Sequence, residues 1–185
     1  HPVVQGVAFF LGLFVANRLL SVPFDLYSTF VIDEQFEFNE TTARLWVRDF
    51  VVGTLVGSVI LGALTGALLA LVETFSTVAW VGGGWLLVIA FMLVIQVLYP
   101  RVIAPMFNDF EPIETGDLRD RIEAVFDRAG FEAEEIYTMD ASRRSSRVNA
   151  YFAGFGKAKR VVLFDTLVEK LEGPQVEGVL AHELA

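Results

Sequence analysis

Long apolar stretches without charged residues dominate the first hundred positions of the chain. A helix needs about 20 apolar residues to cross the roughly 30 Å hydrocarbon core of a bilayer. Segments 50–72 and 78–99 contain no Asp, Glu, Lys or Arg and have this length. Segment 3–32 is also long enough, although two charged residues and a proline interrupt its second half. The pattern therefore predicts about three transmembrane helices in a membrane region at residues 1–107.

The charges that flank these segments predict their orientation. The connection between the first two spans carries Arg44 and Arg48, whereas the connection at 73–77 carries no Lys or Arg. Arg101 then opens a segment that is rich in both residue types. Because positively charged loops stay in the cytoplasm, we expect the first loop and everything after Arg101 to lie on the cytoplasmic side.

From Asn108 to residue 185 the pattern becomes that of an α+β domain. Apolar residues at helical spacing predict a helix at 118–129, with Thr115 as its cap and Gly130 directly after its end. Alternating apolar and polar residues predict a strand at Glu135–Met139.

The second half of this domain reads as a hairpin followed by two helices. Two β-rich runs, Val148–Phe155 and Arg160–Phe164, enclose a short polar turn, as in an antiparallel hairpin. A short helix is predicted directly after the second strand, and Gly173 is expected to end it. Pro174 suits the first turn of a final helix, where its missing N–H costs no hydrogen bond.

Composition and charge narrow the class of protein. A hydrophobic content of 54% and a mean hydropathy of +0.53 are typical of a membrane protein. The net charge of −9 argues against a nucleic-acid partner. The absence of cysteine excludes disulfides and leaves His, Asp and Glu as metal ligands. Because no start methionine or signal peptide precedes His1, we expect the chain to be an internal part of a longer protein.

His182 and Glu183 in the final helix open the pattern H-E-x-x-H. Histidines four residues apart share one helix face and can hold one zinc ion, while the glutamate acts on a water at the metal. The pattern would place the second histidine directly after Ala185. The pair alone is also typical of two polar residues on an exposed helix face.

The region between the predicted strand at Glu135–Met139 and the final helix is more specific. It reads SRRSSRVNAYFAGFGKAKRVVLFDTL from Ser142 to Leu167. This region closely resembles the signature of the integral-membrane CAAX prenyl endopeptidases, zinc metalloproteases of the H-E-x-x-H type. Two earlier stretches, LYSTFVIDEQFEFNETT and YPRVIAPMFNDFEPIETGDL, resemble further segments of that family. Glu37 stands where the family usually has Gly, and Arg147 where many members have His.

The resemblance implies a fold class and a function. The fold would be a multi-pass α-helical membrane protein that carries the N-terminal part of an α+β zincin-type (gluzincin) peptidase domain. The protein would hydrolyse a peptide bond near the C-terminus of prenylated or membrane-associated substrates by zinc-activated water, and the lipid bilayer would be a further partner. The alternatives are a heat-shock-type membrane quality-control zinc protease, or a non-catalytic membrane scaffold in which the His-Glu-Leu sequence is incidental.

The resemblance also implies roles for individual residues. His182 would be the first zinc ligand and Glu183 the general base. Asn149, Ala150 and Tyr151 match the substrate-binding segment near the active site. A single zinc ion is implied in the complete enzyme, with its remaining ligands after residue 185, so we expect these 185 residues alone to be inactive.

Two features of the signature region also have simpler explanations. Residues 149–151 are also compatible with an ordinary hairpin strand in which Tyr151 and Phe152 pack on opposite faces. Six basic residues around the hairpin could receive a substrate carboxylate or face anionic lipids, or could be solvated turn charges. They are Arg143, Arg144, Arg147, Lys157, Lys159 and Arg160.

Overall fold

The chain packs as two compact units. The computed structural model describes residues 1–131, 135–153 and 160–184, apart from the side chain of Thr77. The first unit comprises His1–Ile32 and Ala43–Leu98, and the second comprises Asp33–Thr42 and Tyr99–Ala185. The predicted boundary between residues 107 and 108 stays a prediction.

The first unit consists of three long apolar helices. Helix α1 (Pro2–Tyr27) continues as a π-helix to Asp33, and α2 (Ala43–Thr74) and α3 (Thr77–Leu98) follow. Helix α1 packs against α2, and α2 packs against α3. All three are long and apolar enough to cross a membrane.

The close packing of α1 and α2 depends on a small residue. A methyl group at Gly57 would lie 2.7 Å from the Cζ atom of Phe14. Glycine therefore allows the Phe14 ring to approach the α2 backbone, as small residues do between membrane helices.

The charged residues and the proline in the first predicted span do not end the helix. Pro23 lies inside α1, and the chain stays helical beyond it. The guanidinium carbon of Arg18 lies 5.0 Å from the centre of the Phe50 ring, a cation–π contact.

The second unit is built on a four-stranded sheet. The strands are β1 (Phe110–Pro112), β2 (Glu135–Met139), β3 (Ala150–Ala153) and β4 (Arg160–Phe164). Their order is β1-β2-β4-β3, in which β2 and β4 are parallel and the two outer pairs are antiparallel. Strand β3 therefore forms one edge. The predicted hairpin pairing of β3 with β4 is present, and the predicted turn between them lies outside the described residues.

The α-helices of this unit within the described residues are α4 (Asp117–Ala129), α5 (Asp165–Lys170) and α6 (Gly173–Leu184), beside a π-helix at Tyr99–Ile103 and 3-10 turns at Ala104–Met106 and Ala141–Arg143. Helices α4 and α6 cover one face of the sheet. The fully or nearly fully buried core between the helices and this face comprises Ile122, Val125, Phe126, Ile136, Ala150, Val161, Leu163, Leu167, Val176 and Leu180.

Two predicted helix ends were wrong. Thr115 does not cap α4, because Gly116 occupies the N-cap position and makes no side-chain hydrogen bond. Gly173 begins α6 and does not end α5. The reason is a reciprocal cap: the Gln175 side chain accepts the Glu172 N–H at 2.9 Å, and the Gln175 N–H donates to the Glu172 carbonyl at 2.9 Å.

Candidate active site

Helix α6 holds His182 and Glu183 at its exposed end. Val176 and Leu180, four residues apart, are 2% and 0% exposed and fix one side of the helix to the core. His182 and Glu183 fall outside this buried stripe, and both are exposed. Within the described part of the chain, neither side chain has a hydrogen-bond partner. The two groups are therefore available to a ligand.

The same helix lies against the strand that carries the other candidate residues. Helix α6 contacts β3, and Leu180 and Ala150 belong to one core cluster. Ala150 is only 2% exposed, whereas Asn149 beside it is exposed. The fold thus packs the helix of His182 against the strand that carries the N-A-Y segment.

The backbone of β3 presents hydrogen-bonding groups at the sheet edge. The Phe164 N–H donates to the Asn149 carbonyl at 3.0 Å, and Tyr151 is the next residue that faces β4 in this way. The backbone groups of Ala150 and Phe152 therefore point away from β4. The Ala150 N–H is taken by the Asn149 side-chain oxygen at 2.9 Å. The Ala150 carbonyl and both backbone groups of Phe152 pair with no other strand among the described residues.

The side chain of Tyr151 lies on the opposite face of the sheet. It packs with Met139 and Val162, and its hydroxyl contacts the Met139 sulfur at 3.9 Å. Burial, and secondarily the nearby Tyr99 phenol, raises the pKa of Tyr151 to about 12. The phenol is thus a neutral, half-buried group that points away from the α6 side.

The Phe152 side chain lies on the other face of the sheet, as expected if residues 149–151 belong to an ordinary hairpin strand. Its ring lies 5.0 Å from that of Phe131 and 6.2 Å from that of Phe126, measured between ring centres. The Tyr151 side chain therefore faces away from α6 and its backbone pairs with β4, so the open edge of β3 is formed by the backbone groups of Ala150 and Phe152.

A cavity of about 260 Å³ lies on the Tyr151 face. Tyr137, Tyr151 and Val162 line its floor, with Arg101 and Arg160 among the polar residues around them. The Arg160 guanidinium already has two partners. It lies 2.7 Å from the Glu135 carboxylate and 5.3 Å from the centre of the Tyr137 ring.

The arginines around the hairpin form ion pairs and hydrogen bonds with other parts of the chain. The sequence pattern did not predict these contacts. Each of the four described arginines bonds a carboxylate or amide oxygen at 2.7 Å: Arg143 to Asp140, Arg144 to Asn108, Arg147 to Asp33 and Arg160 to Glu135. Lys157 and Lys159 lie outside the described residues. The four arginines therefore do not form an open anion-binding cluster.

The described residues supply only some of the ligands that a catalytic metal ion needs. No group of three or more His, Asp or Glu side chains that could hold a metal ion occurs among the residues that the structure describes. His182 supplies one exposed imidazole, a ligand type that suits zinc, and Glu183 lies beside it. The residues fit one ligand and one base of a metallopeptidase site.

Comparison with known families covers both units of the chain. Residues 1–109 match the family described as CAAX prenyl protease N-terminal, five membrane helices. Residues 112–185 match peptidase family M48. The chain belongs to the M48 family of CAAX prenyl proteases. The fold class and the resemblance predicted from the sequence are thereby confirmed: this is an integral membrane protein of a metalloprotease family.

Individual relatives agree along almost the whole chain. It is 38% identical over 98% of its length to the probable CAAX prenyl protease 1 of Schizosaccharomyces pombe. It is also 38% identical over 98% of its length to CAAX prenyl protease 1 of Saccharomyces cerevisiae. The crystal structure of S. mikatae Ste24p matches 97% of the chain with a TM-score of 0.89 and 35% identity. The chain spans 38%, 40% and 43% of the lengths of these three proteins.

Proposed function

We propose that the complete protein is a membrane zinc endopeptidase that cleaves a peptide bond near the C-terminus of prenylated or other membrane-associated substrates. The observation that carries this proposal is the exposed His182–Glu183 pair at the end of α6, in a chain whose two regions match a CAAX prenyl protease family and peptidase family M48. Helix α6 is held to the core by Leu180.

His182 and Glu183 have separate roles in this proposal. The His182 imidazole is the first zinc ligand, and about two further protein ligands would complete a catalytic site. When bound, zinc supplies Lewis acidity that polarises a carbonyl and acidifies water. The Glu183 carboxylate accepts the proton from the attacking water and returns it to the leaving amine.

The edge of β3 binds the substrate backbone. The Ala150 carbonyl and the Phe152 backbone groups are directed away from β4, so an extended peptide can add to the sheet as a further strand. Main-chain pairing of this kind is tolerant of side-chain sequence. The Asn149 side chain fixes the start of the edge through its bond to the Ala150 N–H.

The membrane region suits a lipid-attached substrate. Three helices are long and apolar enough to anchor the protein in the bilayer, and the distribution of Lys and Arg supports a cytoplasmic position for the peptidase unit. A prenyl group can then stay in an apolar environment while the peptide reaches the site. A quality-control protease would instead cleave unfolded membrane proteins irrespective of a prenyl group, so comparing prenylated and unprenylated forms of one peptide separates the two functions.

Glu183→Gln in the full-length protein tests the proposal. The amide cannot accept a proton, so we expect turnover of a prenylated peptide to fall by roughly 10² to 10⁴-fold with zinc retained. Glu169→Gln is the matched control, because Glu169 is also an exposed glutamate on a helix, and this variant should keep normal turnover. Normal turnover in Glu183→Gln would show that the assignment of the base is wrong.

A further inference from the structure

Two segments far apart in sequence meet beside the edge strand. The interspan loop, residues 33–42, connects α1 to α2, and the entry segment, residues 144–149, leads into β3. Asn39 and Ser145 form an antiparallel bridge. The Glu40 N–H donates to the Arg144 carbonyl and the Ser146 N–H donates to the Phe38 carbonyl, both at 3.1 Å.

Side chains strengthen this contact. The Thr41 hydroxyl donates to the Arg144 carbonyl at 3.1 Å, and the Ser146 hydroxyl donates to the Glu37 carbonyl at 2.8 Å.

Arg147 makes two contacts with the interspan loop at once. Its Nη2 atom donates to the Asp33 carboxylate at 2.7 Å, and its guanidinium carbon lies 4.6 Å from the centre of the Phe38 ring. A planar guanidinium can hold a carboxylate in its plane and an aromatic ring on its face, which fixes it better than either contact alone.

The entry segment is also held from its other side. The hydroxyl of Thr166, a residue only 3% exposed, donates to the Arg147 carbonyl at 2.7 Å. The Lys170 ammonium donates to the Ser146 carbonyl at 2.6 Å. The interspan loop and helix α5 therefore hold Ser146 and Arg147 from two sides, a few residues before Ala150.

We propose that Arg147 is a positioning residue, which orders the edge of β3 through Asp33 and Phe38 so that the substrate strand can pair with it. This inference rests on the proposed function. A peptide binds more tightly to an edge that is already ordered, because the entropy lost on binding then comes from ordering the substrate alone. Arg147 lies on the entry segment and makes no contact with His182 or Glu183, so its loss should weaken substrate binding and leave the chemical step nearly unchanged.

Steady-state kinetics of the full-length protein test this role. Arg147→Ala should raise KM for the peptide about fivefold to tenfold, with kcat changed less than about twofold. Asp33→Asn is the milder variant, which keeps the shape of the partner, and it should raise KM in the same direction. Arg147→Lys keeps the charge but not the planar group that contacts both partners, so it should restore only part of the affinity. The double variant Asp33→Asn/Arg147→Ala should be no worse than Arg147→Ala, because both changes remove one contact.

Glu123→Gln provides the matched control. It breaks the Arg119–Glu123 ion pair, which has the same 2.7 Å separation but lies on α4. This variant should leave KM unchanged.

Amide hydrogen exchange gives a readout that needs no turnover. In Arg147→Ala, amides in Ala150–Ala153 and in the interspan loop should exchange faster, while those of α4 stay unchanged. An unchanged KM, or unchanged exchange in β3, overturns the proposal. If the parent protein shows no zinc-dependent hydrolysis, the proposed function fails, and the exchange result separately decides whether Arg147 orders β3.

Discussion

The two faces of the sheet differ in what covers them. On one face, α4 and α6 cover an apolar core that buries Leu180 and packs against the partly buried Phe152, and α6 ends in the exposed His182–Glu183 pair. On the other face, Tyr151 and Tyr137 line a cavity. Neighbours in a strand point to opposite sides, so adjacent residues of one motif belong to different environments. Matching a motif residue by residue therefore does not place all its side chains in the site.

The largest effect is expected from weakening the helix-covered face at Leu180. Leu180→Ala removes a fully buried side chain between α6 and the sheet, and should lower the free energy of unfolding by about 3 kcal/mol. Thermal unfolding of the full-length protein in detergent measures this loss. Val148→Ala removes a side chain that is 43% exposed and should change stability by less than about 0.5 kcal/mol. Equal losses would mean that α6 is not anchored through Leu180.

Neighbouring substitutions in β3 compare the two faces directly. Phe152→Ala loses the ring contacts with Phe126 and Phe131 and should cost about 2 kcal/mol. Tyr151→Phe keeps the ring and removes a hydroxyl whose partner is a sulfur at 3.9 Å, so it should cost less than about 1 kcal/mol and preserve turnover. A large loss of turnover in Tyr151→Phe would mean that the phenol takes part in the reaction. It would contradict the claim that the two faces of β3 have different roles.

The half-buried phenol should also give the Tyr151 face a pH dependence. The pKa of Tyr151 is about 12 in the folded protein, above its ordinary value of 10. Since the unfolded chain loses this proton first, the neutral phenol stabilises the fold fully below pH 10, and that contribution falls as the pH rises from 10 to 12. Stability measured across this window should fall more steeply in the parent than in Tyr151→Phe. Identical slopes would contradict a buried phenol.

The smallest expected effect concerns the interspan loop beside the β3 edge. Glu37 has a φ of 57°, in the left-handed region that favours glycine. Glu37→Gly should therefore stabilise the protein by up to about 1 kcal/mol. Glu40→Gly is the control: Glu40 is not among the positive-φ residues, so glycine there should destabilise by roughly 0.5 kcal/mol. A loss of stability in Glu37→Gly would show that the Glu37 backbone is not strained.

Local patterns predicted most of the regular elements. The bounds of β2 and β4 coincide with the predicted strands, because short β-rich runs between polar residues specify them. Gly130 adopts the left-handed conformation expected after the end of α4, with a φ of 63°. Strand β1 was not predicted, since it has three residues, one of them proline, and forms only by pairing with β2.

The candidate site was predictable only in part. The spacing of Val176 and Leu180 already indicates that His182 falls off the buried side of α6. Alternation indicates that Tyr151 and Phe152 face opposite ways, but which face α4 and α6 cover depends on tertiary packing. The Arg147–Asp33 pair joins residues 114 positions apart, which no local pattern reveals.

The zinc content of the full-length protein tests the central claim most directly. His182→Ala should lose most of the bound zinc measured per protein molecule, because it removes the proposed first ligand. His1→Ala, which removes the other histidine of the chain, should retain it. A parent protein that hydrolyses its substrate without bound zinc, or a His182→Ala variant that keeps a full zinc complement, would contradict the account.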